Sequence, residues 1–252
     1  KRNGGVATAL NLGIRKMTGE YFSWLSHDDL YLPDKVERQI YFLSKSKTTD
    51  FILYSDFEAL DLRNNSSHIC RIDHTDSGDK IYDILYLLFK SVIHGCTLLL
   101  PKACFDNVGL FNENLRTTQD YELWFKLVKE GYQFKHVPEI LIKTRWHKDQ
   151  GTSSMTDIHF REVENLLIWA FDLFHENFQS FSFSQIEKFV IALRNRTLKK
   201  SPHYIFSSWW GKRPSRLILT FLIEFKRLRS NIIEKAILIF YNCKKKVIEN
   251  FR

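Results

Sequence analysis

Two aspartates in tandem, Asp28 and Asp29, follow the bulky run Tyr21-Phe22-Ser23-Trp24-Leu25 and precede a segment that Pro33 can open as a helix. Asp residues at such a junction often do no more than cap and turn the chain. Hard divalent cations such as Mg2+ or Mn2+, however, take one or two carboxylates together with substrate phosphates. The pair therefore has the chemistry to hold a metal against a nucleotide diphosphate. A third carboxylate, Asp120, starts a helical pattern (Tyr121, Trp124, Phe125, Val128) that Gly131 ends, which puts its charge at the dipole-positive end of that helix. Arg145, with Lys143 beside it, offers positive charge to phosphates.

The elements that must position these residues are legible as an alternation. Val6 to about Met17 reads as a helix with Val6, Ala9, Leu10 and Gly13 on one face, and Tyr21–Leu25 reads as a buried strand. After Pro33, Val36, Ile40 and Leu43 form the apolar stripe of a second helix. A strand is expected at Phe51–Ser55, a hairpin or long loop from Arg63 to Lys80, a short helix at Ile81–Phe89, and a strand at Cys96–Leu100 closed by Pro101. A turn at Phe105–Gly109 leads toward the Asp120 helix, whose Trp124 is expected in the core. From about residue 158 the pattern favours amphipathic helices. Open α/β sheets bind ligands beyond the carboxyl ends of their strands, which is where Asp28 and Asp29 fall.

Charge excludes one class of partner. Residues 201–252 carry eleven Lys or Arg against three Glu, which accounts for the whole formal charge of +8. The acidic and aromatic positions upstream thus lack the basic surroundings that nucleic-acid binding needs. Within the tail, Ile218, Phe221, Leu222 and Phe225 are flanked by Lys226, Arg227 and Arg229, and Trp209-Trp210 stands beside Lys212 and Arg213. Such segments can lie on anionic lipid, or pack on the catalytic domain or a partner subunit with their charges in water. Cys70, Cys96, Cys104 and Cys243 form no CxxC pair, which fits a reducing, cytoplasmic setting.

The run Asn11-x-Gly13-Ile14, Thr18-Gly19-Glu20-Tyr21, Trp24-Leu25-Ser26-His27-Asp28-Asp29 and Pro33-x-Lys35-x-Glu37 resembles family 2 glycosyltransferases of the GT-A fold. The likeness continues through Gly95–Pro101, Val108-Gly109-x-Phe111-Asn112-Glu113, Gln119–Trp124 and Arg145-x-His147-x-x-Gln150, covering about residues 1–155. It implies an α/β fold, nucleotide-diphospho-sugar transferase-like, with a mostly parallel sheet flanked by helices. Residues 1–155 would form the catalytic domain and 156–252 a helical, basic extension. It also implies inverting, single-displacement sugar transfer with Asp120 as the base that takes the acceptor's proton. Asp28, Asp29 and Arg145 would bind the donor, and Asp29 and His147 would hold Mn2+ or Mg2+. Where the family often has a further Asp, this chain has Ser26.

The partners that follow are a nucleotide-sugar donor, most commonly a UDP-sugar, and a glycan, lipid-linked or protein acceptor in cell-surface polysaccharide assembly. Enzymes of this kind begin with a strand and loop that hold the base, and nothing before Lys1 supplies them, so the resemblance predicts a fragment lacking its first strands. Two other readings stand beside it: a non-catalytic relative that binds carbohydrate or a partner, and a metal-dependent nucleotidyltransferase. The chain shows no phosphate-cradling Gly-rich loop and no QxxRW motif, which disfavours the latter and a processive synthase.

Overall fold

The structure is a computed structural model and describes residues 2–46, 51–62, 64–147, 150, 154–182, 184–186 and 188–189. The basic tail with Trp209-Trp210 lies outside the described residues. The chain divides into two compact units, Lys1–Leu166 and Leu167–Arg252.

The first unit opens with helix α1 (Val6–Lys16), strands β1 (Tyr21–Phe22) and β2 (Leu30–Tyr31), and helix α2 (Lys35–Ser44). Strand β3 (Phe51–Asp61) and β4 (Ser66–Cys70) form the expected hairpin, followed by α3 (Lys80–Lys90). A 3-10 turn at Gly95–Thr97, β5 (Leu100–Pro101), α4 (Ala103–Val108), α5 (Gln119–Lys129) and β6 (Gln133–Trp146) complete the site-bearing part. The long ladder is the parallel pairing of β3 with β6, from Phe51 opposite Gln133 to Asp61 opposite Trp146. Around it the pairing is antiparallel: β2 on β6, β4 on β3, and β1 on β5. The four-stranded sheet β2-β6-β3-β4 is thus mixed rather than mostly parallel, since only β3 and β6 run in the same direction, and β1 and β5 form a separate two-stranded sheet.

Four expected elements come out differently. Pairing of the first strand stops at Phe22, and Ser23–Ser26 run on without a strand partner. The expected strand at Cys96–Leu100 is a 3-10 turn that gives way to β5 at Leu100. Helices α1 and α2 are placed as expected, but each turns a different face inward. Helix α1 buries Ala7, Asn11 and Ile14 while Val6 is exposed, and α2 buries Lys35, Gln39 and Leu43 while Val36 and Ile40 are exposed.

Polar residues with partners explain both rotations. Asn11 Nδ2 donates to the carbonyl of Phe111 at 2.9 Å, and its Oδ1 accepts the Phe111 N–H at 2.9 Å. Lys35 Nζ donates to Ser23 Oγ at 2.9 Å and Gln39 Oε1 at 2.8 Å, and lies 4.5 Å from the centre of the Tyr31 ring. Gln39 in turn donates to the Thr97 carbonyl at 2.8 Å. Buried polar groups that are fully bonded fix orientation in a way that an apolar stripe does not.

The core lies between the ladder and these helices. Leu43, Phe51, Leu53, Leu99, Val137 and Leu141 make one cluster, and Phe57, Ala59, Cys96 and Ile142 another. Helix α3, capped by Asp79 accepting from the N–H groups of Ile81 and Tyr82, packs on α5 through an edge-on Phe89–Phe125 contact at 5.2 Å. Trp124 is fully buried, as expected.

After β6, helix α6 (Thr156–Leu173) runs from the first unit into the second and is followed by α7 (His175–Ser180). In the second unit Phe171, Phe178, Phe181 and Phe189 form an aromatic cluster, with Phe171–Phe178 centroids 4.8 Å apart. Among the described residues no helix is long and apolar enough to cross a membrane.

Candidate active site

The unpaired segment after β1 delivers Asp28 and Asp29 to the end of β6. Leu30 and Tyr31 pair with Lys143 and Ile142, so Asp28 and Asp29 lie level with Arg145 and His147. Arg145 spans the junction. Its main-chain N–H donates to Asp29 Oδ1 at 3.2 Å, its Nε to the Asp28 carbonyl and its Nη2 to the His27 carbonyl at 3.4 Å. Gln150 Nε2 donates to the Arg145 carbonyl at 2.8 Å.

The two aspartates occupy different surroundings. Asp28 Oδ2 sits 3.1 Å from His147 Nε2, with the two side chains 18% and 25% exposed, so this pair faces an opening. Burial pushes the Asp28 carboxyl up, but the His147 hydrogen bond, main-chain bonding and the nearby His27 outweigh it and hold it below the usual carboxylate range. Asp28 is therefore a carboxylate at neutral pH. Asp29 is buried, and its Oδ2 accepts the Cys96 thiol at 3.3 Å.

His94 and Cys96 complete the floor. Asp29, His94 and Cys96 bring ligand-type atoms within 4.8 Å of one another. Burial pushes the Cys96 thiol up to about 12, with Asp29 adding to the shift, so it is a protonated hydrogen-bond donor. A protonated, sulfur-bearing floor suits a hard cation less than the exposed oxygen and imidazole of Asp28 and His147. His94 Nδ1 accepts the Cys96 N–H at 3.3 Å, and its Nε2 lies 3.8 Å from Asp29 Oδ2. Burial lowers the His94 pKa against the pull of Asp29 and Asp28. Neutral His94 thus carries its proton on Nε2, toward Asp29.

Gly95 is where this floor admits no side chain. A Cβ there would run into the Trp24 indole, whose other side meets Phe22 and Phe111. Gly95→Ala is expected to cost about 1–3 kcal/mol through overpacking, and a thermal melt unchanged from wild type would show that Trp24 yields.

Asp120 lies at the start of α5. Thr118 is the N-cap of α5, and Asp120 follows one residue into the first turn, where its Oδ1 accepts the Tyr121 N–H at 2.8 Å. The Tyr121 hydroxyl donates to the carbonyl of Ile93 at 2.8 Å. The start of α5 is thereby tied to the residue preceding His94, which faces Asp29.

The structure thus brings Asp28, Asp29, Arg145 and His147 into one bonded group, whereas Asp120 is tied to it only through the Tyr121 bond to Ile93, next to His94. Lys143 is taken up by Glu58, its Nζ 3.0 Å from Oε2. His94, the protonating role of Cys96, and Ser26, whose N–H and hydroxyl lie 3.4 Å from Cys96 Sγ, were not identified from sequence. Sixty-odd residues separate His94 and Cys96 from the aspartates and from Ser26, and no spacing rule links the two stretches.

Comparison with known proteins relates this geometry first to a class and then to a family. Residues 1–349 of S. aureus TarS match with a TM-score of 0.51 at 15% identity, covering 87% of this chain and 58% of that one. TarS in complex with UDP-GlcNAc matches with a TM-score of 0.52 at 13% identity, covering 87% and 60%. The fold is that of the GT-A glycosyltransferases. Residues 1–105 match the family model for glycosyl transferase family 2, and an uncharacterized glycosyltransferase of Rickettsia typhi is 47% identical over 155 residues, 61% of this chain and 48% of that one. Over these residues the chain is similar to glycosyl transferase family 2. A putative teichuronic acid biosynthesis glycosyltransferase of Bacillus subtilis is 25% identical over 189 residues, 70% of this chain and 71% of its own. The chain spans about half the length of its Rickettsia typhi and Rickettsia prowazekii relatives, 48% and 52%.

Proposed function

We propose that the chain transfers a sugar, with inversion, from a nucleotide-diphosphate donor to a hydroxyl acceptor in the assembly of a cell-surface polysaccharide. The observation that carries this reading is the bonded group of Asp28, Asp29, Arg145 and His147 at one end of the β2–β6 pairing, with its exposed Asp28–His147 edge. Similarity to the family and the teichuronic acid relative support the reaction class and the setting.

Asp28, Asp29 and His147 would hold a divalent cation, Mn2+ or Mg2+. Asp28 and His147 present accessible ligand atoms, and each Asp29 oxygen accepts one bond and keeps a second lone pair. When bound, the ion supplies charge that stabilises the departing diphosphate. Arg145 keeps the two aspartates in place and adds positive charge on the same side. Asp120 accepts the proton of the attacking hydroxyl as its oxygen bonds to the anomeric carbon, while the bond from that carbon to the diphosphate breaks and the nucleoside diphosphate leaves. A carboxylate suffices as base because the hydroxyl becomes acidic only as the new bond forms.

UDP is proposed as the nucleotide, in keeping with the UDP-GlcNAc complex of TarS. The reading extends to a cytoplasmic location, with the basic segment 201–252 against an anionic membrane face. Calorimetry with UDP, with and without Mn2+, tests the donor site directly. Metal-dependent binding is expected in the wild type, weakened about 100-fold in Asp28→Ala/Asp29→Ala and about 10-fold or more in His147→Ala. Binding indifferent to Mn2+, or equal in all three proteins, would sink the assignment, and release of pyrophosphate from UTP in the presence of a sugar 1-phosphate would indicate nucleotidyl transfer.

A further inference from the structure

Glu162, on α6, lies outside the residues matched by the family model and belongs to none of the sequence motifs. Its carboxylate gathers the chain just ahead of α5. Oε1 accepts the Arg116 N–H at 2.7 Å, and Oε2 accepts the Thr117 N–H at 2.8 Å, the Thr117 hydroxyl at 2.8 Å and the Thr118 hydroxyl at 3.3 Å. Thr118, buried at the N-cap of α5, makes no side-chain bond to its own helix and turns its hydroxyl to Glu162 instead. The N-cap hydroxyl is thus turned away from α5's own N–H groups and held by a carboxylate more than forty residues away, which also holds the two residues before it.

The set is closed on its other sides. The single Thr117 hydroxyl proton goes to Glu162, so at the 2.9 Å contact between Thr117 Oγ1 and His159 Nδ1 the imidazole is the donor. Arg116 Nη1 reaches the Gly4 carbonyl at 3.2 Å, which ties the same loop to the start of α1. Burial pushes Glu162 up, but the bonds from Arg116, Thr117 and Thr118 outweigh it and hold its pKa low, so it is an anion at the positive end of α5. Asp120 is two residues beyond Thr118.

We propose that Glu162 is the positioning residue for Asp120: by holding Arg116, Thr117 and Thr118 from outside, it sets where the first turn of α5 begins and therefore where the base stands. This rests on the glycosyl-transfer reading for what Asp120 does, but not for what Glu162 holds. Glu162→Gln is the informative change, since an amide keeps the size and replaces one acceptor oxygen with an NH2 that opposes the N–H groups it would meet.

Two measurements on the full chain decide it. The first is amide hydrogen exchange across residues 114–124, where Glu162→Gln is expected to speed exchange at Arg116 and Thr117 by 10-fold or more and leave α3 unchanged. The second is release of UDP from UDP-GlcNAc into water with Mn2+. In Glu162→Gln the rate constant is expected to fall 10- to 100-fold with the KM for donor within twofold, and Glu162→Gln added to Asp120→Asn is expected to cost nothing further. Unchanged exchange overturns the proposal, as does faster exchange with an unchanged rate constant, or a full additional loss in the double variant. Wild-type protein that binds UDP but releases none from UDP-GlcNAc or UDP-glucose sinks the catalytic reading and the positioning role with it, while the exchange data still report whether Glu162 holds the segment.

Discussion

Asp120→Asn is expected to slow release of UDP from a UDP-sugar by about a thousandfold, within the 10²–10⁴ range typical of general-base catalysis, and to leave UDP affinity in Mn2+ unchanged. The substitution is chosen because it removes little else. Asparagine keeps an Oδ1 that can accept the Tyr121 N–H, so the first turn of α5 retains its internal bond, and the Tyr121 hydroxyl still reaches Ile93. What goes is the capacity to take a proton. Initial-rate measurements beside calorimetry separate the outcomes: turnover at the wild-type level removes Asp120 as the base, and loss of UDP binding reassigns it to the donor site.

Stability is expected to rise from pH 8 to 9 and to fall beyond pH 10. Lys35 is responsible for the rise. Burial pushes its ammonium down to about 8 from an ordinary 10.5, so the folded chain releases a proton that the unfolded chain still holds. Where the unfolded state binds more protons, stability increases with pH, here by about 2–3 kcal/mol at most across the full interval. Tyr31, Tyr82 and Cys96 act in the opposite sense. Burial raises each to about 12, from 10 for the tyrosines and 9 for the thiol. Their contribution is intact below pH 9 and is lost as pH climbs toward 12, roughly 1–2 kcal/mol apiece after allowance for solvent screening.

Set against a total stability of about 5–15 kcal/mol, the three losses together, roughly 3–6 kcal/mol before the gain from Lys35 is taken off, lower the stability substantially between pH 10 and 12 without being enough alone to unfold the protein. Denaturant midpoints followed by tryptophan fluorescence from pH 7 to 12 would show this directly. Lys35→Met should flatten the rise between pH 8 and 9 and leave the alkaline loss in place. Equal midpoints at pH 8 and pH 11.5 in the wild type would mean that these groups titrate as freely as in the unfolded chain.

Of the helices that sequence patterns located, α5 buries its expected Trp124, Phe125 and Val128, whereas α1 and α2 bury Asn11, Lys35 and Gln39 in place of most of their expected apolar stripes, and for the same reason. At Asn11, Lys35 and Gln39 a reading by hydrophobicity assigns polar side chains to solvent, yet each is buried and bonded to a distant carbonyl or hydroxyl. Sequence patterns carry the period of a helix, whereas its rotation here depends on partners about 60 to 100 residues away, at Leu98, Thr97 and Phe111. The strand at Cys96–Leu100 failed similarly: its apolar composition is that of a strand, but the His94 ring caps a 3-10 turn there and Gly95 lets Trp24 close over it.

The chemistry was more legible than the packing. Asp28, Asp29, Arg145 and His147 were identified by residue type and by the family resemblance, and they meet because the two strands that carry them pair in register. The distribution of burial between the two aspartates was not legible. Which carboxylate faces outward depends on Cys96, and a thiol that serves as a proton donor looks in sequence like any small apolar residue.

Arg145 grips the Asp28 and His27 positions by their carbonyl oxygens. Those oxygens are present whatever side chain occupies the position. The shape of the loop is therefore inherited separately from the identity of its residues, so a lineage could exchange the side chain at position 28 or 27, and with it the preferred ion or donor, without first rebuilding the turn that presents it.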